Sequence, residues 1–109
     1  MADEKRILVL GAYGLAGRAI VNRLVEKTGY QVIAAGRDEQ KLKPLLNSRV
    51  AAHLLDATDA RALTVASEEA DFVINAVGPF ARNGAAIART VLETGTPYLD
   101  CANEQRHYQ

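Results

Sequence analysis

The chain has little of what marks several other protein classes. Cys101 is its single cysteine, so it cannot form an internal disulfide, and we expect a reducing, cytoplasmic setting. Its 13 Lys and Arg balance 13 Asp and Glu, so no basic surplus points to nucleic acid or an anionic membrane as a partner. No apolar run approaches the roughly 20 residues of a membrane span. The N-terminal residues lack the long apolar core of a signal peptide.

What is present fits a small globular protein. The chain has 109 residues, of which 49% are hydrophobic and 24% charged. That length and composition predict a single domain over residues 1–109.

Strand-like and helix-like patterns alternate from end to end of the sequence. Strands are predicted at residues 5–10, 31–35, 50–55, 71–77 and 97–100. Helices are predicted at residues 14–28, 38–46, 58–67 and 83–95, with Pro44 ending or kinking the second. The strands are nearly continuous in apolar residues and the helices are amphipathic. We therefore expect an α/β protein of the doubly wound Rossmann type, whose five-stranded parallel sheet has the order 3-2-1-4-5 and helices on both faces.

The most informative motif follows the first strand, where three glycines lie at Gly11, Gly14 and Gly17. A glycine turn between a strand and a helix is the arrangement that binds a dinucleotide pyrophosphate at the helix N-terminus. The first glycine allows the tight turn, the second leaves the backbone bare for a phosphate, and the third lets the helix pack closely. The alternative is a strand–helix turn that needs glycine for packing only.

The helix after this turn is predicted to bury Ala16, Ile20 and Leu24, which are spaced by four residues. Gly29 suits the left-handed position beyond its last turn. In the fourth helix, Ile87, Val91 and Leu92 are predicted to share one face.

The residue that reads the adenosine ribose is expected at the end of the second strand, roughly 20 residues after the glycine motif. Arg37 occupies that place, and a guanidinium can bind a 2′-phosphate through two parallel hydrogen bonds. Lys41, one helical turn on, can add charge. This favours NADP over NAD, provided that Asp38 caps the second helix instead of facing the ribose. The alternative is that Arg37 is an ordinary solvated arginine.

Two further segments are candidates for cofactor contacts. Asp56 follows the third strand and either borders the adenine or bonds its own loop backbone. Asn75, Ala76, Val77 and Gly78 close the fourth strand at the switch in strand order, where a ribose can pass over small residues. Pro79 and Phe80 would then wall the nicotinamide end, unless Phe80 packs under the fourth helix.

The sequence offers few groups for chemistry of its own. His53 is predicted to be structural, because it falls on the adenine side. Asp100 and Cys101 border the expected substrate side, but Cys101 has no nearby histidine and is interpreted as an inert thiol. There is no Tyr-x-x-x-Lys pair and no spacing typical of a metal site.

The chain resembles the NADP-binding domain of the saccharopine dehydrogenase-like oxidoreductases, including the related trans-acting enoyl reductases. The resemblance rests on residues 9–18 and 35–37, and more specifically on Asn75-Ala-Val-Gly-Pro-Phe80, Gly84 and the later Gly95-Thr-Pro-Tyr-Leu-Asp100. It implies a cofactor site lined by Gly11, Tyr13, Gly14, Leu15, Arg37 and residues 75–78.

Members of that family continue into a second, substrate-binding domain, whereas this sequence ends at Gln109. It also has Asn103-Glu104 where members commonly have Gly-Glu. We expect the N-terminal, NADP-binding part of a longer enzyme, with catalytic groups lying elsewhere. The alternatives are a non-catalytic NADP-sensing module and a truncated extended short-chain reductase or epimerase. A homodimer is a further expectation, because dimerisation would cover an apolar sheet edge.

Overall fold

A computed structural model describes residues 4–77 and 84–101. The strands are β1 (Arg6–Leu10), β2 (Gln31–Gly36), β3 (Val50–Leu54), β4 (Phe72–Asn75) and β5 (Tyr98–Asp100). The α-helices are α1 (Leu15–Lys27), α2 (Glu39–Leu42), α3 (Ala60–Glu68) and α4 (Gly84–Glu93). A single 3₁₀ turn, Lys43–Leu45, follows α2 directly.

The five strands form one parallel sheet in the order β3-β2-β1-β4-β5, which confirms the predicted Rossmann-type fold. In its register, Leu10 lies beside Ala35 of β2 and Asn75 of β4. The carboxyl ends of the three central strands therefore meet at one edge, where ligands bind in open α/β sheets.

Each face of the sheet has its own apolar core, since successive side chains of a strand point to opposite faces. Ile7 and Val9 of β1 pack with Val21 of α1 and Leu42 of α2 on one face. The other core contains Leu8 and Leu10 with residues of α3 and α4, namely Leu63, Ala66, Ile87 and Val91. Both faces of β1 are buried, which explains why its sequence is continuously apolar.

Helix α1 buries a face shifted by one residue from the predicted one. Ala16 is exposed, whereas Gly17 and Val21 are buried, and Ile20 and Leu24 pack beside them. The reason is that Gly17, not Ala16, lies against the preceding turn.

The predicted left-handed Gly29 is also wrong, because among the described glycines only Gly11 and Gly95 have positive φ. The end of α1 is instead formed by Thr28, whose hydroxyl donates to the Leu24 carbonyl at 2.7 Å.

Two boundaries and the buried face of α4 also differ from the sequence pattern. The α-helical part of α2 is short because Pro44 lies in the 3₁₀ turn that ends it. Strand β4 ends at Asn75, before the apolar Ala76 and Val77. Leu92 of α4 is 57% exposed, so it does not share the buried face of Ile87 and Val91.

Within the described ranges, no helix is both long enough and apolar enough to cross a membrane.

Candidate dinucleotide-binding site

The turn after β1 requires glycine at its first position. Gly11 has φ +71°, a conformation that residues with a side chain rarely adopt. A Cβ there would lie 2.8 Å from the backbone nitrogen of Val77 and 2.9 Å from the carbonyl carbon of Ala76. The turn is thus pressed directly against the chain that leaves β4.

Gly17 is required for a different reason. A Cβ on this residue would overlap the carbonyl oxygen of Gly11 and lie 2.8 Å from the Cα of Ala12. Because those are backbone atoms, they cannot move aside cheaply. Gly17 therefore lets α1 lie against the turn, as the sequence predicted.

Gly14 has no such requirement. Its φ of −71° and ψ of 171° are accessible to any residue, and a Cβ would meet only the Gly11 oxygen at an ordinary 3.5 Å. The residue is exposed and is the N-cap of α1. Close packing thus explains why residues 11 and 17 are glycines, but it does not explain why residue 14 has no side chain.

The N-terminus of α1 is left open. Among the described residues no side chain caps it, and its first turn contains no acidic residue. Leu15, the first residue of the helix, is 85% exposed. The first N–H groups of a helix have no partner within the helix, and with the positive end of the helix dipole they favour an anion.

Tyr13 links this turn to the end of β2. A Cβ on Gly36 would overlap Cε2 of the Tyr13 ring, so the ring covers the backbone of Gly36. The ammonium of Lys41 lies 5.6 Å from the centre of the same ring, within cation–π range. This contact was not predicted from the sequence, although a glycine in a strand is a known sign of close backbone approach.

Arg37 and Asp38 follow β2 directly and have separate roles. Arg37 is exposed. Asp38 caps α2, as predicted, because its Oδ1 accepts from the N–H of Gln40 at 3.0 Å and from that of Lys41 at 3.4 Å. Its carboxylate is thereby turned into the helix.

Asp56 bonds its own loop. Its Oδ1 accepts from the backbone N–H of Thr58 at 2.9 Å and from the Thr58 hydroxyl at 2.7 Å. These bonds, with a smaller contribution from the charge of Arg37, lower the pKa of Asp56. The resulting stabilisation is present above the usual pKa and is lost as the pH falls through the lowered one. An adenine contact for Asp56 stays a prediction.

A chain of side-chain hydrogen bonds lies at the ends of β4 and β5. Asn75 is fully buried; its Nδ2 donates to the hydroxyl of Tyr98 at 2.9 Å, and its Oδ1 accepts from the N–H of Val77 at 3.0 Å. The Tyr98 hydroxyl donates to Oδ2 of Asp100 at 3.1 Å. Burial raises the pKa of Tyr98 to about 12, so its hydroxyl remains a donor at neutral pH.

The backbone of Ala76 and Val77 lies beside the glycine turn, and the Ala76 N–H donates to the Leu10 carbonyl at 2.9 Å. This is the segment expected to line a ribose. Gly78, Pro79 and Phe80 lie outside the described residues.

The remaining candidates lie in β3 and directly after β5. His53 is half-buried in β3, where it pairs with Ala35. Cys101 is half-buried against the core on the α1 face, and its N–H donates to the Asn75 carbonyl at 3.0 Å.

A sequence profile described as "Saccharopine dehydrogenase NADP binding domain" matches residues 7–109. The chain is similar to the "Lipid droplet localized protein" of Caenorhabditis elegans, with 32% identity over 90% of this chain and 26% of that protein. It is also similar to the "Saccharopine dehydrogenase-like oxidoreductase" of Bos taurus, with 28% identity over 95% of this chain and 29% of that protein. It thus spans between a quarter and a third of these relatives.

A solved structure shares the fold. It is a wide-type short-chain dehydrogenase/reductase from Veillonella parvula in complex with NADP, with a TM-score of 0.68 and 17% identity over 88% of this chain and 46% of that one.

Proposed function

The chain belongs to the saccharopine dehydrogenase NADP binding domain family, and on that basis we propose that it binds NADP(H) in preference to NAD(H). The observation on which cofactor binding depends is the open start of α1, where the N-cap glycine is exposed and no side chain of the described residues caps the first N–H groups. The cofactor pyrophosphate would lie there, with its charge on the positive end of the helix dipole.

The preference for NADP is assigned to the end of β2. Arg37 is exposed beside the expected ribose position, and Asp38 is engaged at the start of α2, so its carboxylate is not directed at a ribose hydroxyl. Lys41 is held against the Tyr13 ring close by. The two cations would suit a 2′-phosphate, and with Asp38 bonded to α2 the hydrogen bonds that select NAD would be given up.

The nicotinamide half would lie along Ala76 and Val77, at the switch in strand order. When bound, the cofactor supplies or accepts a hydride. The chain's own residues bind and orient it: Gly11 and Gly17 shape the turn, and Asn75 fixes the neighbouring backbone.

We further propose that the protein acts as part of a saccharopine dehydrogenase-like oxidoreductase whose substrate-binding residues lie in the portion of the relatives that these 109 residues do not match. The bovine relative carries that name, and the chain spans 29% of it. The truncated short-chain reductase is the less favoured alternative. Its support is a shared fold at 17% identity, and its Tyr-x-x-x-Lys pair would have to lie downstream of these 109 residues.

Titration calorimetry with NADPH and NADH tests the cofactor proposal, with Arg37→Gln as the variant. We expect the wild-type chain to bind NADPH more tightly than NADH. The variant should lose about tenfold or more in NADPH affinity, because a charge-assisted bond to the phosphate contributes roughly 1.5–3 kcal/mol. Its affinity for NADH should stay within about twofold, since NADH has no 2′-phosphate.

Arg23→Gln is the matched control, because Arg23 is also an exposed arginine and lies within α1. It should leave both affinities unchanged. Tighter binding of NADH than of NADPH by the wild-type chain would overturn the preference. An equal loss in both variants would show that Arg37 acts only through overall charge.

A further inference from the structure

We propose that Tyr98 and Asp100 are positioning residues for the nicotinamide half of the cofactor. Acting through the buried amide of Asn75, they hold the backbone of Ala76 and Val77 against the glycine turn. This inference rests on the proposed function, and it assigns part of cofactor binding to a strand at the edge of the sheet.

Each hydrogen bond in the series that links Val77, Asn75, Tyr98 and Asp100 has only one possible direction. A backbone N–H can only donate, so the bond from Val77 makes the oxygen of the Asn75 amide the acceptor and turns its nitrogen toward Tyr98. A carboxylate oxygen accepts, so Asp100 accepts the hydrogen bond that the Tyr98 hydroxyl donates, and the Tyr98 oxygen is left to accept from Asn75. Each partner therefore fixes the orientation of the next one.

Burial makes this orientation matter. Asn75 is 0% exposed, so its amide nitrogen depends on a partner within the protein. A buried donor without a partner is costly, and the amide would have to turn or shift to find another. Either movement would disturb the bond that its oxygen makes with Val77.

That bond bears directly on the candidate site. The Val77 nitrogen is the atom that a Cβ on Gly11 would approach to 2.8 Å, and the Ala76 N–H is bonded to Leu10 at the end of β1. A shift of this backbone would therefore change the surface beside the turn. The adenosine end, at Gly36 and Arg37, is held by other contacts, such as the bond from the Ala12 N–H to the Ala35 carbonyl at 3.1 Å.

The test compares two ligands on Tyr98→Phe, which keeps the ring and removes the hydroxyl. NADPH contains the nicotinamide half, whereas 2′,5′-ADP contains only the adenosine and its phosphates. We expect the variant to bind NADPH about tenfold more weakly than the wild-type chain and 2′,5′-ADP within about twofold. Asp100→Asn should act in the same direction with a smaller loss, because its amide no longer forces the direction of the Tyr98 proton.

Thr96→Val is the control for a purely structural effect. Thr96 is also buried, and its hydroxyl donates to the Ser67 carbonyl at 2.9 Å. It precedes the N-terminal end of β5, however, whereas the candidate site lies at the C-terminal ends of the strands. It should lower the denaturant midpoint and leave the affinities for both ligands unchanged.

Unchanged NADPH binding by Tyr98→Phe and Asp100→Asn, or an equal loss for both ligands, would overturn the inference. The same selective loss in Thr96→Val would also overturn it. A wild-type chain that binds neither ligand would contradict the proposed function itself. A wild-type chain that binds both, with variants that do not discriminate, would contradict only the positioning role.

Discussion

Helices α1 and α3 both begin at an N-cap residue with an extended backbone, but the two residues differ in their side chains. Each N-cap residue is extended, and each accepts the first helical hydrogen bond at 2.9 Å, from Arg18 to Gly14 in α1 and from Leu63 to Asp59 in α3. Asp59 then uses its own carboxylate to accept from the N–H of Ala62 at 3.2 Å. Gly14 has no side chain with which to do so.

Helix α3 therefore satisfies one of its first N–H groups with its own N-cap side chain, whereas α1 leaves its first N–H groups to a ligand. The side-chain cap of α3 stabilises it by about 1 kcal/mol relative to alanine, and the glycine cap of α1 gives up only about a few tenths of a kcal/mol. In return, the N–H groups of α1 stay open at the sheet edge where the central strands end. We interpret the missing cap of α1 as the feature that makes it an anion site.

The largest effect should follow from adding a side chain at the close contact between α1 and the turn that precedes it. Gly17→Ala would place a Cβ on the carbonyl oxygen of Gly11, and backbone atoms cannot yield cheaply. We expect a loss of about 3 kcal/mol or more in the free energy of unfolding, despite the better helix propensity of alanine. Urea denaturation followed by circular dichroism measures it.

Gly29→Ala is the control, since a Cβ there meets nothing within 4 Å and the residue lacks a positive φ. It should be neutral or stabilise the chain by up to about 1 kcal/mol. If Gly17→Ala were equally harmless, the close packing of α1 on the turn would be wrong.

A smaller effect should follow from removing the cap of α3. Asp59→Ala takes away the acceptor for the Ala62 N–H and should lower the free energy of unfolding by about 1 kcal/mol. NADPH affinity should not change, because no cofactor contact is assigned to the Asp59 side chain. A loss of NADPH affinity beyond that expected from instability would show that the two helix starts are not independent.

Much of the fold could be predicted because it depends on local patterns. The apolar strands, the turn glycines and the cap residue Asp38 each produce their structure through a few neighbouring residues. The wrong details depended on three-dimensional packing. Ala16 was assigned to the buried face because its spacing is helical, but only contact with the turn shows that Gly17 takes that position.

The candidate site likewise has parts that the sequence predicts and parts that depend on three-dimensional packing. The glycine turn and Arg37 are visible as motifs, and their positions follow from the order of the elements. The hydrogen bonds that link Asn75, Tyr98 and Asp100 cannot be recognised in the sequence. Asn75 and Tyr98 are 23 positions apart, and they meet only because of the register of β4 and β5. The contact between Tyr13 and Gly36 has the same character.

Titration of NADPH into Gly14→Asp tests most directly whether α1 is open for the cofactor. Position 14 accepts a side chain without strain, so aspartate should cap α1 and keep or slightly raise the stability of the chain. Its charge would occupy the expected place of the pyrophosphate, and we predict that NADPH affinity falls at least about a hundredfold. Gly14→Ala, with a Cβ but neither cap nor charge, should lose less. NADPH binding by a folded Gly14→Asp variant as tightly as by the wild-type chain would contradict the account.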